Sequence, residues 1–436
     1  MPVIFPMRYT PIDSNFFIAN RKNFIRHLPK GSLAIFNSNE LMPKSGDATF
    51  PFRQHPDMFY LTGIDQEDTS LILFPECPVE KYREALFVRK TSEQIMIWEG
   101  EKLSQEEAGK LSGIKTVLWK DEFEGVLKTV MYLAHTCYLN SNENDRASAA
   151  VPDYDLRFAR QLKERYPLHR FERAAPIMLS LRSVKADIEI ELLKKAIGIT
   201  EKAFRRILKF VKPGVMEYEV EAELTHEFLR SGTNHAYHPI VASGKSSNIL
   251  HYVTNNKQCK DGDVLLLDFA AEYANYASDL TRTIPVNGKF SKRQKDVYNA
   301  VLRIQREAMK MMKPGIKLDD FNKDVGNVVT EELIQLGLLK SADVKKQDPE
   351  KPLWKKYMPH GISHFLGLDV HDIGNRYEPI KAGMVFTCEP GIYIREEGFG
   401  IRIENDVLVS KTGTVDLMKD IPVEAEEIEE LMRRQP

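Results

Sequence analysis

One pattern, written twice, constrains this chain more than any other feature. Ala186 to Val211 carries Ile188, Leu192, Ile199, Phe204, Ile207 and Val211, a spacing that predicts one apolar face of a long helix. The pattern stops at Lys212-Pro213-Gly214, because proline cannot continue a helix and glycine tolerates the cap. A second helical pattern, Val297 to Met312, stops at Lys313-Pro314-Gly315. Each stop is followed by another helical stretch, ending near Gly232 and Gly337. Each then has an apolar strand that ends in an acid: Val264-Leu265-Leu266-Leu267-Asp268 and Met384-Val385-Phe386-Thr387-Cys388-Glu389. A further acid follows in each copy, Asp279 eleven residues after Asp268 and Glu404 fifteen after Glu389. His251 precedes the first acid by seventeen residues and His371 precedes its counterpart by eighteen. A repeated tripeptide alone is chance. The same order of helix, tripeptide, helix, histidine, acid and acid predicts a duplicated α+β unit whose halves face each other across a pseudo-two-fold axis.

Such an axis brings the four acids to one centre. Asp268 and Glu389 both close apolar runs, so their surroundings are desolvated, and four unpaired carboxylates there would repel and take up protons. Two dications neutralise four negative charges, so a dinuclear metal site resolves the conflict. His364 adds one nitrogen ligand. The set Asp268, Asp279, His364, Glu389 and Glu404 is oxygen-rich with one imidazole and no thiolate, which suits Mn2+ best, with Co2+, Fe2+ or Zn2+ as alternatives. Taken singly, each acid reads as a salt bridge or helix cap and His364 as a core histidine. Only the matched order favours the metal.

The 436 residues suffice for two or three domains. A boundary near Ala174-Ala175-Pro176 gives an N-terminal α/β accessory domain, 1–175, and a catalytic domain, 176–436. In the first, Ser32–Phe36, Ser70–Phe74 and Ala85–Val88 read as buried strands and Tyr154–Tyr166 as an amphipathic helix. Arg53-Gln54-His55-Pro56-Asp57 reads as an ordinary polar surface loop. With 61 basic and 63 acidic residues the net charge is -2, which argues against a nucleic-acid or anionic-membrane partner. No apolar run reaches the roughly 18 residues of a membrane span. Met1 to Arg8 lacks the pattern of a secretory leader. Cys77, Cys137, Cys259 and Cys388 are scattered, with no CxxC pair. A cytoplasmic, reduced setting is expected.

His360-Gly361-Ile362-Ser363-His364-Phe365-Leu366-Gly367-Leu368-Asp369-Val370-His371-Asp372 resembles the signature of the proline-specific metallopeptidases of the pita-bread (methionine aminopeptidase-like) superfamily. Leu267-Asp268-Phe269-Ala270, Asp279-Leu280-Thr281-Arg282-Thr283, Cys388-Glu389-Pro390-Gly391-Ile392-Tyr393 and Gly400-Ile401-Arg402-Ile403-Glu404-Asn405-Asp406 match its remaining ligand motifs. Phe50-Pro51-Phe52-Arg53-Gln54 with Phe59-Tyr60-Leu61-Thr62-Gly63 is similar to the N-terminal domain of the aminopeptidase P family. The resemblance implies an α+β, C-terminal pita-bread fold preceded by a smaller α/β domain, and removal of the N-terminal residue from peptides with proline second. It implies that Asp268 chelates one metal, that His364 and Glu389 hold the second, and that Asp279 and Glu404 bridge both. His251, His360 and His371 match substrate-binding and proton-handling histidines, and Arg402 an arginine beside the acids. Assembly as a homodimer or homotetramer is implied by the same analogy. Ala236-Tyr237-His238-Pro239 receives no role.

The chemistry is consistent with these groups. Amide hydrolysis at neutral pH needs a hydroxide-like nucleophile, and water bridging two dications has a much lowered pKa. Glu389 is expected to accept its proton and pass it to the leaving nitrogen. His371 and His251, from corresponding places in the halves, are expected to approach the scissile bond from opposite sides, one of them donating to the carbonyl. His360, four residues before His364, shares its face on a helix or a strand. An Xaa-Pro bond offers no N–H to grip, so the free amine near Asp268 and a pocket for the ring must do the holding. Four alternatives stay open: a prolidase, restricted to dipeptides; a methionine aminopeptidase, which needs no first domain; a creatinase-like enzyme without metals; and a metal-free binding module on the same scaffold.

Overall fold

The computed structural model describes residues 7–141, 143, 144, 146 and 151–433. The first six residues of the segment read for a leader lie outside the described residues. The chain divides into two units, the break falling between Arg182 and Ser183. All but the last residue of helix Ala175–Ser183 therefore precedes the break, whereas the sequence places the boundary at the start of that helix. The Arg182 guanidinium explains the difference: it meets the buried Asp57 carboxylate at 2.8 Å and ties the helix to the first unit.

In the first unit a six-stranded sheet runs in the order Thr116–Trp119, Glu84–Val88, Ser70–Leu73, Ser32–Asn37, Thr136–Leu139, Arg170–Arg173. Ser32–Asn37 is buried along its whole length, as a central strand covered on both faces must be. The run Arg53–Asp57 is not the surface loop its polarity suggests. Gln54 and Asp57 are buried, and the Gln54 amide donates to the carbonyls of Ile64 at 2.9 Å and Gln66 at 3.0 Å. The His55 ring accepts from the Asp57 amide at 3.2 Å, capping helix Pro56–Thr62. Polar residues here satisfy backbone groups that burial would otherwise orphan.

The second unit carries the duplication. Helix Asp187–Phe210 is followed by helix Glu217–Arg230, and Lys292–Met311 by Leu318–Gln335. The two tripeptide glycines have the same left-handed backbone, φ +97° at Gly214 and +94° at Gly315. The Gly214 amide donates to Cys259 O and the Gly315 amide to Ile380 O, both at 2.9 Å. Those carbonyls each lie five residues before the acid-bearing strand, Val264–Asp268 or Val385–Cys388. Val264–Asp268 pairs antiparallel with Thr281–Pro285, and Val385–Cys388 with Asn405–Val409. Between the paired strands each half inserts a hairpin: Glu272–Tyr273 with Tyr276–Ala277, or the longer Gly391–Ile394 with Phe399–Arg402. Hairpin length accounts for the unequal spacing of the acids. One apolar cluster holds residues of both halves, among them Phe204, Leu267 and Ile284 from one and Val301, Phe386 and Val407 from the other.

Candidate metal centre

Four strand ends deliver the acids. Asp268 closes its strand, and Ile240–Ser243 pairs along the other edge of that strand, setting Ile240 opposite Asp268. In the other half Ile362 to Leu366 takes the place of Ile240–Ser243. Its main chain bonds Val385–Cys388 and Glu389 at alternate residues: Glu389 N to Ile362 O at 2.9 Å, Thr387 N to His364 O at 3.0 Å, Leu366 N to Val385 O at 3.1 Å. His364 therefore sits on an irregular extended segment, and neither it nor His360 lies on a helix or regular strand. The helix or strand on which a shared face was expected is absent, yet both rings approach Glu389, His360 Nδ1 at 3.8 Å from Oε2 and His364 Nε2 at 3.8 Å from Oε1.

Asp279, His364 and Glu404 each offer a ligand atom within 4.8 Å of the others, and all three are buried. The His364 Nδ1 donates to Phe365 O at 3.0 Å, which leaves Nε2 directed at the acids, 3.4 Å from Asp279 Oδ2 and 3.8 Å from Glu389 Oε1. Asp268 joins the group through two partners. Arg402 donates to its Oδ2, and the Tyr237 hydroxyl lies 2.6 Å from both Asp268 Oδ1 and Asp279 Oδ1. Arg402 also reaches Thr281 Oγ1 at 3.0 Å and the Tyr393 hydroxyl at 2.9 Å.

Two residues cross between the halves at matched positions, each two beyond the second acid of its copy. Thr281 Oγ1 donates to Glu404 Oε2 at 2.6 Å, and Asp406 Oδ2 accepts from the Asp279 amide at 3.1 Å. The repeat itself was a signal for this pair. Tyr237 has no such signal. It stands alone before His238-Pro239, in a segment left without a role, and only the fold shows what it touches.

The protein alone holds these charges poorly. Burial pushes the Glu389 carboxyl up to about 7, against the pull of His364 and Arg402. Burial and then the charge of Asp279 push Glu404 well above the usual carboxylate range. Burial raises Asp268 too, although Arg402 opposes it. Burial disfavours charge on His364, but its bond to Asp279 and the nearby carboxylates more than offset this and raise it. A set of oxygens that attracts protons, beside an imidazole whose free nitrogen faces them, fits divalent ions: cations relieve the same repulsion without protonating the ligands.

The remaining candidates are placed unevenly. His371 is half-buried, its ring edge-on to His364 with centroids 4.5 Å apart. His360 has both nitrogens engaged, Nδ1 with Gly361 O at 2.7 Å and Nε2 with the Tyr393 hydroxyl at 2.9 Å. Burial and then Arg402's charge lower it to about 4, so its 3.8 Å approach to Glu389 is not an ion pair at neutral pH. His251 is exposed, and its charge bears on His360.

Comparison with known proteins gives three kinds of likeness. Residues 191–411 match the profile of metallopeptidase family M24, and residues 17–138 that of the aminopeptidase P N-terminal domain. The Xaa-Pro aminopeptidase of Haemophilus influenzae is 33% identical over 94% of this chain and 95% of its own. The rat Xaa-Pro dipeptidase is 30% identical over 95% and 93%. Among solved structures, zinc-substituted Escherichia coli aminopeptidase P in complex with product superposes with a TM-score of 0.86 at 31% identity, covering 98% of this chain and all of that one (100%).

Proposed function

The chain belongs to metallopeptidase family M24, and on that premise we propose that it is a Xaa-Pro aminopeptidase, a hydrolase that removes the residue preceding proline from the N-terminus of a peptide. The observation that carries this reading is the convergence of Asp279, His364 and Glu404 within 4.8 Å, with Asp268 joined through Tyr237. Asp268 and Asp279 would hold one ion, His364 and Glu389 the other, with Asp279 and Glu404 shared between them. The ions, when bound, supply Lewis acidity that lowers the pKa of water and polarises the scissile carbonyl. The oxygen-rich donor set favours a pair of Mn2+ ions.

The chain's own groups divide the rest of the work. Glu389, whose Oε1 lies 3.8 Å from His364 Nε2 and whose Oε2 lies 3.8 Å from His360 Nδ1, stands among the ligand residues and would take up a proton and pass it to the leaving nitrogen. Arg402 fixes Asp268, Thr281 and Tyr393 as one frame. His371, against His364, and His251, on the exposed loop, are the donors proposed for the substrate carbonyl. His360, held neutral by burial, orients through Tyr393 rather than carrying charge. Xaa-Pro peptides of three or more residues are the proposed substrates. Four free, buried cysteines accord with a reducing, cytoplasmic setting, and among the described residues no helix is long and apolar enough to cross a membrane. A homodimer or homotetramer belongs to the same reading, by analogy with the family.

The likeness to a dipeptidase supports a second reading, prolidase, with the same ligands but only Xaa-Pro dipeptides as substrates. The match of residues 17–138 to the aminopeptidase P N-terminal domain favours the first. A panel of Xaa-Pro-Yaa, Xaa-Pro and Xaa-Ala-Yaa peptides, with and without Mn2+, separates them. The aminopeptidase cuts the tripeptide at the bond before proline and needs the metal; activity confined to the dipeptide assigns prolidase.

A further inference from the structure

At the far end of the first-half sheet lies a cavity of about 470 Å³ with a strongly basic lining. Lys245, Lys257 and Lys260 converge on it, with Ser243 and Ser246 and the single acid Asp263. Among the described residues none of the three ammonium groups pairs with a carboxylate; Lys257 Nζ donates to Ser246 Oγ at 2.6 Å. Asp263 is occupied in part by the Lys260 amide, at 3.3 Å. Three positive charges against one negative leave an excess of two.

The wall is built, not incidental. Glu217 is fully buried and bonds two of the lining residues, Ser243 and Lys257, together with Tyr252. Its Oε1 accepts from the amide and hydroxyl of Ser243, at 2.8 and 2.7 Å. Its Oε2 accepts from the Tyr252 hydroxyl at 2.8 Å and the Lys257 amide at 2.9 Å. Gly244 lets the chain pass so close to Asp263 that an added Cβ would lie 2.8 Å from the carboxylate. Two of its four donors are backbone amides, so this buried carboxylate fixes the main chain at Ser243 and Lys257, on either side of the turn that carries the exposed Lys245; the Lys257 ammonium itself lies 5.3 Å over the Tyr252 ring.

We propose that this cavity binds a phosphate-type dianion carried by a small organic molecule, a phosphomonoester. The volume lies within the usual range for small-molecule sites and exceeds what a bare phosphate fills. Ammonium groups recognise phosphate as point charges, and Ser246, Gln258 and Asp263 offer hydrogen-bonding partners to the rest of the molecule.

The site is separate from the metal centre but mechanically joined to it. Ser243 pairs with Leu265, three residues along the strand from Asp268, or about 10 Å at the strand rise. The turn Gly244–Asn248 begins the loop that carries His251 and returns at Lys257. Its Ser247 hydroxyl accepts from the Gly400 amide at 2.8 Å, two residues before Arg402. A dianion bridging Lys245 to Lys257 therefore clamps both ends of the His251 loop.

The test is calorimetric titration of the metal-loaded protein with glycerol 3-phosphate and with inorganic phosphate, at ionic strength matched with chloride. Hydrogen exchange over residues 244–257 is followed in parallel. The wild type should bind saturably and exchange more slowly across that loop. The Lys245→Gln/Lys260→Gln double variant should bind at least tenfold more weakly, keep its phosphate-free peptidase rate, and show no slowing. Tighter binding of the ester supports a phosphorylated metabolite, and tighter binding of inorganic phosphate transfers the same site to the free ion. Binding unchanged in the double variant places the anion elsewhere, at the metals for instance, and overturns the proposal. So does the absence of saturable binding, or exchange over 244–257 unaffected at saturation. Binding and exchange, which decide the proposal, do not depend on which peptide the enzyme cuts.

Discussion

Tyr237 has one hydroxyl proton and two carboxylate oxygens at 2.6 Å. It donates to one at a time, so Asp268 and Asp279 tolerate the arrangement only where the second oxygen shares a cation or carries a proton. Tyr237→Phe is therefore expected to keep the fold and to weaken metal affinity by about 10–100-fold, the usual cost of losing a group that orients ligands; equilibrium dialysis against Mn2+ measures it. Asp279→Ala should abolish peptide cleavage while leaving the circular dichroism spectrum of the folded protein, and near-normal turnover would contradict its assignment as the shared ligand. His371→Ala should lower turnover more than metal content. At this scale the acids and His364 were legible because chemistry and order pointed to the same positions. Tyr237 was not, because one tyrosine beside a proline has no periodicity and no partner in sequence. His360 was legible as a position but not as a state, since one of its two hydrogen bonds goes to Tyr393, on a hairpin distant in sequence.

Gly214 and Gly315 do the same work in the two halves, each in a left-handed conformation at φ +97° and +94° with nothing close to the missing Cβ. Alanine at either position meets no clash but must hold a backbone conformation that costs about 1–2 kcal/mol. Gly214→Ala and Gly315→Ala should thus lose similar stability in chemical denaturation, and a loss at one without the other would contradict their equivalence. The order of elements was legible in the sequence because helix stops are local and proline and glycine announce them. What lay outside its reach was long-range: the segment Ile362–Leu366 pairs with Val385–Cys388 without regular strand geometry, and hairpin length, not register, separates Asp268 from Asp279 and Glu389 from Glu404. The buried role of Gln54 and Asp57 was hidden for the same reason, since polar residues that satisfy backbone look like a loop until their partners are known.

For the whole molecule, the acid cluster couples metal, protons and stability. Glu389 rises from an ordinary value near 4.5 to about 7. Between those values the folded, metal-free protein holds a proton that the unfolded chain releases, so this group makes stability fall as pH rises through that window. The raised His364 acts in the same sense; His360, lowered to about 4, acts in the opposite sense between about 4 and 6.5. His360 and the buried Glu189, raised by burial to about 7, lie outside the ligand set and contribute with or without metal. Ions displace protons from the cluster, so the gap in Tm between loaded and stripped protein should widen from about pH 5 to pH 8; a gap independent of pH would mean that these carboxyls do not hold the metal. The most direct measurement is a titration of stripped protein with Mn2+, following release of the first residue from an Xaa-Pro-Yaa peptide. Cleavage should be absent at the start and saturate at two ions per chain, whereas full cleavage by the stripped protein, or saturation with a single bound ion, would contradict a shared pair of metals at Asp279 and Glu404.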